Sequence, residues 1–275
     1  KPYCKMSEAG NLVNSFDKFD KSISKNNSLV CVGLDPQIEK LPKKFKKSPS
    51  SIFPFNKYII DSTSEFTAAY KPNIAFYEAY GIEGLKQLKL TIDYIQKKYS
   101  RWPILLDAKR GDVPNTAKMY AKAIFMYWGV DAVTVYPNLG QNATEPFLEY
   151  KDKLTILLIK TSNSDSGTFQ NLKIAGDPYY LKMAKVISTW KAKNFGLMVG
   201  ATYPNELKEL RKIFPTKLFL SPGIGAQAGD IKNAVRVGMD KNKKGIIFNA
   251  SRSIIYSESP QKAAQSLRDE INSHR

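Results

Sequence analysis

The sequence predicts an α/β protein, a (β/α)8 TIM barrel, on three observations. Eight short apolar runs recur along the chain, amphipathic segments lie between them, and 275 residues is slightly more than one such barrel uses. The runs fall at 29–34, 69–72, 104–109, 132–136, 155–160, 196–200, 218–221 and 245–249. Each is too short for a typical helix, is rich in β-branched or aromatic residues, and gives way to a polar turn. Segments 82–98, 116–127, 179–193, 206–213 and 261–271 carry apolar residues at helical spacing with charges elsewhere. Continuous apolar strands alternating with helices indicate a parallel sheet covered on both faces, and eight such units close naturally into a barrel. A doubly wound open sheet is the competing arrangement. Residues 39–54, with two Pro-bearing, Lys-rich turns, read as a long loop after the first strand. One domain over 1–275 is expected.

Hydrophobic residues at 43% and aromatics at 12% suffice for a full core and argue against disorder. Forty-two basic against 25 acidic side chains leave a formal charge of +17, which attracts anions without naming one. The excess is concentrated at 40–47 and 241–244, which read as solvated connections rather than a nucleic-acid patch. Cys31, inside Leu29-Val30-Cys31-Val32, reads as packing, while Cys4 lies near a polar start. Neither a disulfide framework nor a Cys-based metal site is expected, and a reducing, cytoplasmic compartment follows. No run approaches the ~20 apolar residues of a membrane span, and no signal-peptide pattern opens the chain. The opening at Lys1 rather than Met is what a piece of a longer chain would show. His274, the single histidine, lies in a polar tail and is not expected to be catalytic.

In a barrel the chemistry sits where strands end at the C-terminal face. Here those ends are charged: Gly33-Leu34-Asp35, Tyr70-Lys71-Pro72-Asn73 and Leu106-Asp107-Ala108-Lys109-Arg110-Gly111-Asp112. Asp107 and Lys109 are two apart in a strand, so both side chains face one side, and a buried carboxylate and ammonium need each other or a charged ligand. Lys71 and Asp112 could extend the pair into an alternating row. The plainer alternative is a structural ion pair on the rim, with Lys71 snorkelling to water. Pro114 can open a helix, so Asp112 and Thr116 fit either sugar-hydroxyl contacts or helix capping. Ser221-Pro222-Gly223-Ile224-Gly225-Ala226-Gln227 and Asn249-Ala250-Ser251-Arg252-Ser253 end the seventh and eighth runs, where phosphate-binding barrels often hold the anion. Gly225 would let backbone approach it, and Arg252 would add a forked contact. A lone Gly-x-Gly is otherwise a simple turn.

These residues together resemble the orotidine 5'-monophosphate decarboxylase family. The resemblance runs through Asp107-Ala108-Lys109-Arg110-Gly111-Asp112 with Thr116, Lys71, Pro222-Gly223-Ile224-Gly225-Ala226-Gln227, Cys31-Val32-Gly33-Leu34-Asp35-Pro36, Ala75-Phe76-Tyr77-Glu78 and Asn249-Ala250-Ser251-Arg252. It covers most of the chain and implies a reaction without metal or cofactor, converting orotidine 5'-monophosphate to uridine 5'-monophosphate. It further implies that Lys71, Asp107, Lys109 and Asp112 form a charge network, and that Asp112 and Thr116 complete the site of the neighbouring subunit in a homodimer. Asp35 would contact ribose hydroxyls, Ser162 would read the pyrimidine edge, Arg252 would anchor phosphate, and Gln227 would bridge phosphate and base. Lys109 would stabilise a carbanion at C6 and then protonate it. Association with, or fusion to, orotate phosphoribosyltransferase is left open by the residues. Two rivals remain at this point: a metal-dependent barrel lyase acting on a sugar phosphate, which can share the Asp-x-Lys-x-x-Asp spacing, and a basic nucleic-acid-binding protein without catalysis. Neither a membrane nor a nucleic-acid partner is expected.

Overall fold

Strand formation follows the apolar runs to within a residue or so. In the computed structural model, which describes residues 14–224 and 231–275, the runs become β1 (Val30–Leu34), β2 (Ala69–Pro72), β3 (Leu105–Arg110), β4 (Ala132–Val135) and β5 (Leu154–Lys160). After a two-stranded ribbon, β6 (Lys173–Ile174) and β7 (Asp177–Pro178), come β8 (Phe195–Val199), β9 (Phe219–Pro222) and β10 (Ile246–Ala250). The eight longer strands pair in parallel in the order β2-β1-β10-β9-β8-β5-β4-β3. Parallel bridges Tyr70–Ile104 and Asn73–Asp107 join β2 to β3, so the sheet closes on itself and the open doubly wound arrangement is set aside. Every residue of β1, β2, β4, β5 and β8 is buried, as expected of strands covered by helices.

Helices Gly81–Lys98, Pro204–Ile213 and Pro260–Ser273 lie where the periodicity placed them. The expected 116–127 segment is helix Pro114–Lys122 running into a π-helical turn, Ala123–Trp128. The expected 179–193 helix stops at Ser188. There the Ser188 and Thr189 hydroxyls bond back to the Lys185 and Val186 carbonyls at 2.7 and 2.8 Å, and Trp190 turns into the core. The loop expected over 39–54 holds only to Ser51, where helix Ile52–Thr63 follows. Pro54 sits in its first turn, where the missing N–H has no intrahelical partner to lose. Helices Gln141–Leu148 and Ile231–Gly238 also join the outer layer, while Ser15–Asn26 lies across the N-terminal strand ends, where Ser22 Oγ donates to the Ala68 carbonyl and Lys18 pairs with Asp131.

The lysines of 40–47 are exposed, yet two of them tie their loop down. The Lys44 ammonium stands 3.4 Å from the Tyr58 ring centre, and that of Lys47 donates to the Glu39 and Leu41 carbonyls. Cys31 is a buried free thiol, its pKa pushed up to about 12 by burial. No helix among the described residues is long and apolar enough to cross a membrane.

Before β9 and β10, at the barrel end away from these charged strand ends, Arg211 is buried and gathers the chain. Its guanidinium donates to the carbonyls of Gly238, Phe214, Lys217 and Gly245 at 2.6–3.0 Å and lies 3.7 Å from the Phe219 ring centre. Arg211→Met removes these donors and leaves the Gly245 and Phe214 carbonyls only the N–H groups of Phe219 and Lys217, so it should lower the unfolding free energy by on the order of 3 kcal/mol. Urea denaturation followed by far-UV circular dichroism checks this, and a loss under about 1 kcal/mol would contradict the structural role.

Candidate active site

A threonine sets the shape of the charged strand end. β3 and β4 pair regularly at Leu105–Ala132 and Leu106–Val133, then break step and resume only at Arg110–Val135. Thr134 lies in the gap. Its hydroxyl accepts from the Ala108 and Lys109 N–H groups at 3.0 and 2.9 Å and donates to Asp107 Oδ1 at 2.9 Å. That uses the two acceptor sites and one donor a hydroxyl has. Backbone groups released from the ladder are thereby satisfied, and Lys109 takes a left-handed conformation, φ +46°. For a residue with a Cβ this costs roughly 1–2 kcal/mol. Regular strand alternation does not hold here. Asp107 and Lys109 do meet, Nζ to Oδ1 at 2.7 Å, but by way of a bulge.

Asp107 is 5% exposed and is the centre of the cluster. Its Oδ2 accepts from Lys71 Nζ at 2.9 Å and from Asn73 Nδ2 at 3.4 Å, while Oδ1 takes Lys109 and Thr134. Burial alone would raise the pKa of this carboxyl, but the Lys71 and Lys109 ammonium groups prevail and hold it well below the usual carboxylate range. Lys71 is 3% exposed, so it does not snorkel. Burial works against its charge, yet Asp107 and Asp35 raise its pKa above the ordinary lysine value. Lys109 is 37% exposed at the side chain and reaches the mouth.

Not every expected member joins this cluster. Asp112 makes no ion pair with Lys71 or Lys109 among the described residues, and its carboxylate accepts from the Val113 N–H at 2.7 Å. Helix Pro114–Lys122 has Val113 as N-cap with no side-chain cap, so neither Asp112 nor Thr116 serves as its cap. Both are partly exposed on the same rim. Thr134 and Asn73 were not singled out as site residues. The signal for Thr134 was available, since it is the one polar side chain in the apolar run Ala132-Val133-Thr134-Val135.

A cavity of about 200 Å³ opens beside the cluster, lined by Asp35, Ser162, Gly223, Asn249, Ser251 and Arg252. It thus joins the ends of β1, β5, β9 and β10, and brings together three residues expected from widely separated stretches. Gly33 permits the approach of the first and last strands, because a Cβ there would lie 2.7 Å from Ser251 Cβ. Asp35 links cavity and cluster: burial raises its carboxyl pKa, and the Lys71 charge opposes that. Among the described residues, Asp35 Oδ1 and Asn249 Oδ1 are buried without a hydrogen-bond partner, two acceptors suited to the hydroxyl donors of a sugar. Gly225 and Gln227 lie outside the described residues.

Because the folded-state pKa of Asp107 is depressed, its contribution to stability is full above the unfolded value of about 4 and fades as pH falls below it. Asp107→Asn should therefore cost on the order of 3–5 kcal/mol at pH 7, with the gap from wild type narrowing below about pH 4. Urea unfolding at several pH values tests this, and a gap that stays constant on acidification would contradict it.

Residues 28–267 match the Orotidine 5'-phosphate decarboxylase / HUMPS family. The Orotidine 5'-phosphate decarboxylase of Christiangramia forsetii is 44% identical over 246 residues, 89% of this chain and 90% of that protein. The protein of the same name from Flavobacterium johnsoniae is 42% identical over 251 residues, 91% and 92% of the two chains. Among solved structures, Leishmania donovani OMP decarboxylase superposes with a TM-score of 0.85 at 35% identity, covering 95% of this chain and 98% of that one. Leishmania donovani UMP synthase gives 0.86 at 37% identity, covering 94% of this chain, which spans 56% of the synthase. With a barrel whose charged strand ends converge on one cavity, and with relatives above 40% identity along nearly its whole length, the chain belongs to the orotidine 5'-phosphate decarboxylase family.

Proposed function

We propose that this protein is an enzyme that decarboxylates orotidine 5'-monophosphate to uridine 5'-monophosphate, the last step of de novo pyrimidine nucleotide synthesis. One observation carries the reading: the Lys109 ammonium reaches the barrel mouth while anchored to a buried carboxylate, next to a cavity that holds Arg252 and two unpaired acceptors. In the reaction the C6–carboxylate bond breaks, carbon dioxide leaves, and the electron pair stays on C6. No delocalising group adjoins that carbon, so positive charge fixed beforehand must stabilise it. Lys109 supplies that charge and then donates the proton that replaces carbon dioxide. Lys71 and Asp107 keep it in place, and Asp107 also repels the substrate carboxylate until it departs. Asp35 meets ribose hydroxyls, Ser162 reads the pyrimidine edge, and Arg252 anchors the phosphate. Gly225 and Gln227 keep the roles that the resemblance implies, close backbone approach to phosphate and a bridge from phosphate to base.

A homodimer belongs to the same proposal, with Asp112 and Thr116 completing the neighbouring site. What supports it is that Asp112 pairs with no ammonium among the described residues, and that the surrounding surface exposes Val113, Met119, Met126, Tyr127 and Leu139. A cytoplasmic setting fits the buried, unpaired Cys31 thiol. Partnership with, or fusion to, orotate phosphoribosyltransferase fits the greater length of the Leishmania UMP synthase.

An ultraviolet assay of orotidine 5'-monophosphate loss with chelator present tests the central claim. Turnover should persist, and Lys109→Ala should nearly abolish it while leaving the circular dichroism spectrum unchanged. Metal-dependent activity, or near-normal turnover by that variant, would refute the mechanism. Arg252→Ala should reduce catalysis on the phosphorylated substrate far more than on the nucleoside, and equal losses on both would remove its role as anchor. Mixing inactive Lys109→Ala and Asp112→Asn proteins under conditions that exchange subunits should restore activity, because one site of each hybrid is then intact. No recovery despite demonstrated exchange would place both residues in the same subunit's site.

A further inference from the structure

Lys160 ends β5 and is completely buried, yet no carboxylate lies within ion-pair distance of it among the described residues. Among the described residues its ammonium has one hydrogen-bond acceptor, Asn171 Oδ1 at 2.9 Å, and it lies 4.5 Å from the Tyr203 ring centre and 5.8 Å from that of Tyr180. Burial lowers its pKa, and the Glu206 charge works the other way. An ammonium so thinly compensated is a burden on folding that an apolar side chain of similar length would avoid. Its position indicates what it provides. Asn171 belongs to the insert that follows β5, and Tyr203 to the loop that follows β8, so the charge fastens two segments that approach each other from different strands.

Ser162 stands between them. On one side the Thr161 N–H donates to Gln170 Oε1 at 3.0 Å, and Gln170 Nε2 donates to Thr161 Oγ1 at 2.9 Å. On the other, Tyr203 Oη donates to the Asn163 carbonyl at 3.0 Å and accepts from Ser166 Oγ at 2.9 Å. Behind it Gly200 allows close contact, since a Cβ there would lie 2.8 Å from Ser162 Cα. None of these bonds uses the Ser162 hydroxyl, and Ser162 lines the cavity.

We infer that Lys160 is a positioning residue: through Asn171 and Tyr203 it braces the two segments that flank Ser162, and so fixes the serine hydroxyl for contact with the pyrimidine. This rests on the base-reading role proposed for Ser162. It assigns the buried charge to recognition of the base rather than to the chemical step or the phosphate.

The test compares Lys160→Met with the wild-type full chain, measuring calorimetric binding of uridine 5'-monophosphate and of ribose 5-phosphate, which lacks the base. The variant should unfold at the same or a higher temperature. It should lose about tenfold in affinity for the nucleotide, the worth of roughly one hydrogen bond, and bind ribose 5-phosphate unchanged. KM for orotidine 5'-monophosphate should rise with it, and kcat should change less. Equal losses for both ligands, or no loss for either, would overturn the inference. Tyr203→Leu, which removes the ring and its hydroxyl from the far side of the same brace, should show the same selectivity for base-containing ligand. Equal losses there would overturn the inference even if Lys160→Met fails to fold. If the wild type neither binds the nucleotide nor turns over its precursor, the function proposed above fails, and this inference with it.

Discussion

Asp107 receives Lys71, Lys109, Asn73 and Thr134 at once, and the arrangement of the strand ends follows from that convergence. A carboxylate so deeply placed can stay ionised only because two ammonium groups outweigh its burial. Lys71, equally enclosed, can stay charged only because that carboxylate is there. Neither member is tolerable alone, so the pair behaves as one unit and the exposed end of Lys109 is held against it. Thr134 gives the unit its geometry, because diverting two backbone N–H groups to its hydroxyl is what lets β3 step out of register without leaving them unpaired.

The two ends of the barrel divide the work. Around Arg211, guanidinium and carbonyls satisfy one another completely and nothing is presented outward. At the other end, Asp35 and Asn249 keep buried acceptors unmatched among the described residues. Full satisfaction is what rigid support requires, whereas polar groups left over in a cavity are what a ligand with donors can use. The contrast is one between Arg211 and the cavity, since Thr155 Oγ1 at the start of β5 is also unpaired among the described residues.

The strands were legible because a parallel barrel strand must be apolar throughout, and eight such runs leave few other solutions. Helices were less so. Gln141–Leu148 carries Pro146, which reads as a breaker, and Ile52–Thr63 hides its start behind a lysine-rich turn and Pro54. In the cluster, Lys71, Asp107 and Lys109 were recognisable as charges at the ends of core strands. The way they meet was not, since alternation along a regular strand says nothing of a bulge created by a hydroxyl on the next strand. Asp35, Ser162 and Arg252 share a cavity although they lie far apart in the chain, a proximity that only the closed topology supplies. The burial of Lys160 was not legible, because a sequence does not reveal that a lysine at a strand end points away from water.

Lys109 adopts a backbone conformation that glycine would occupy freely. The residue proposed as proton donor therefore sits where its own Cβ is least welcome. Variants selected only for heat resistance have an incentive to relax that position, and relaxing it removes the amine. On the proposed mechanism, endurance and turnover compete at a single Cα, and selection for one without assay of the other will drift toward a sturdier, inert protein.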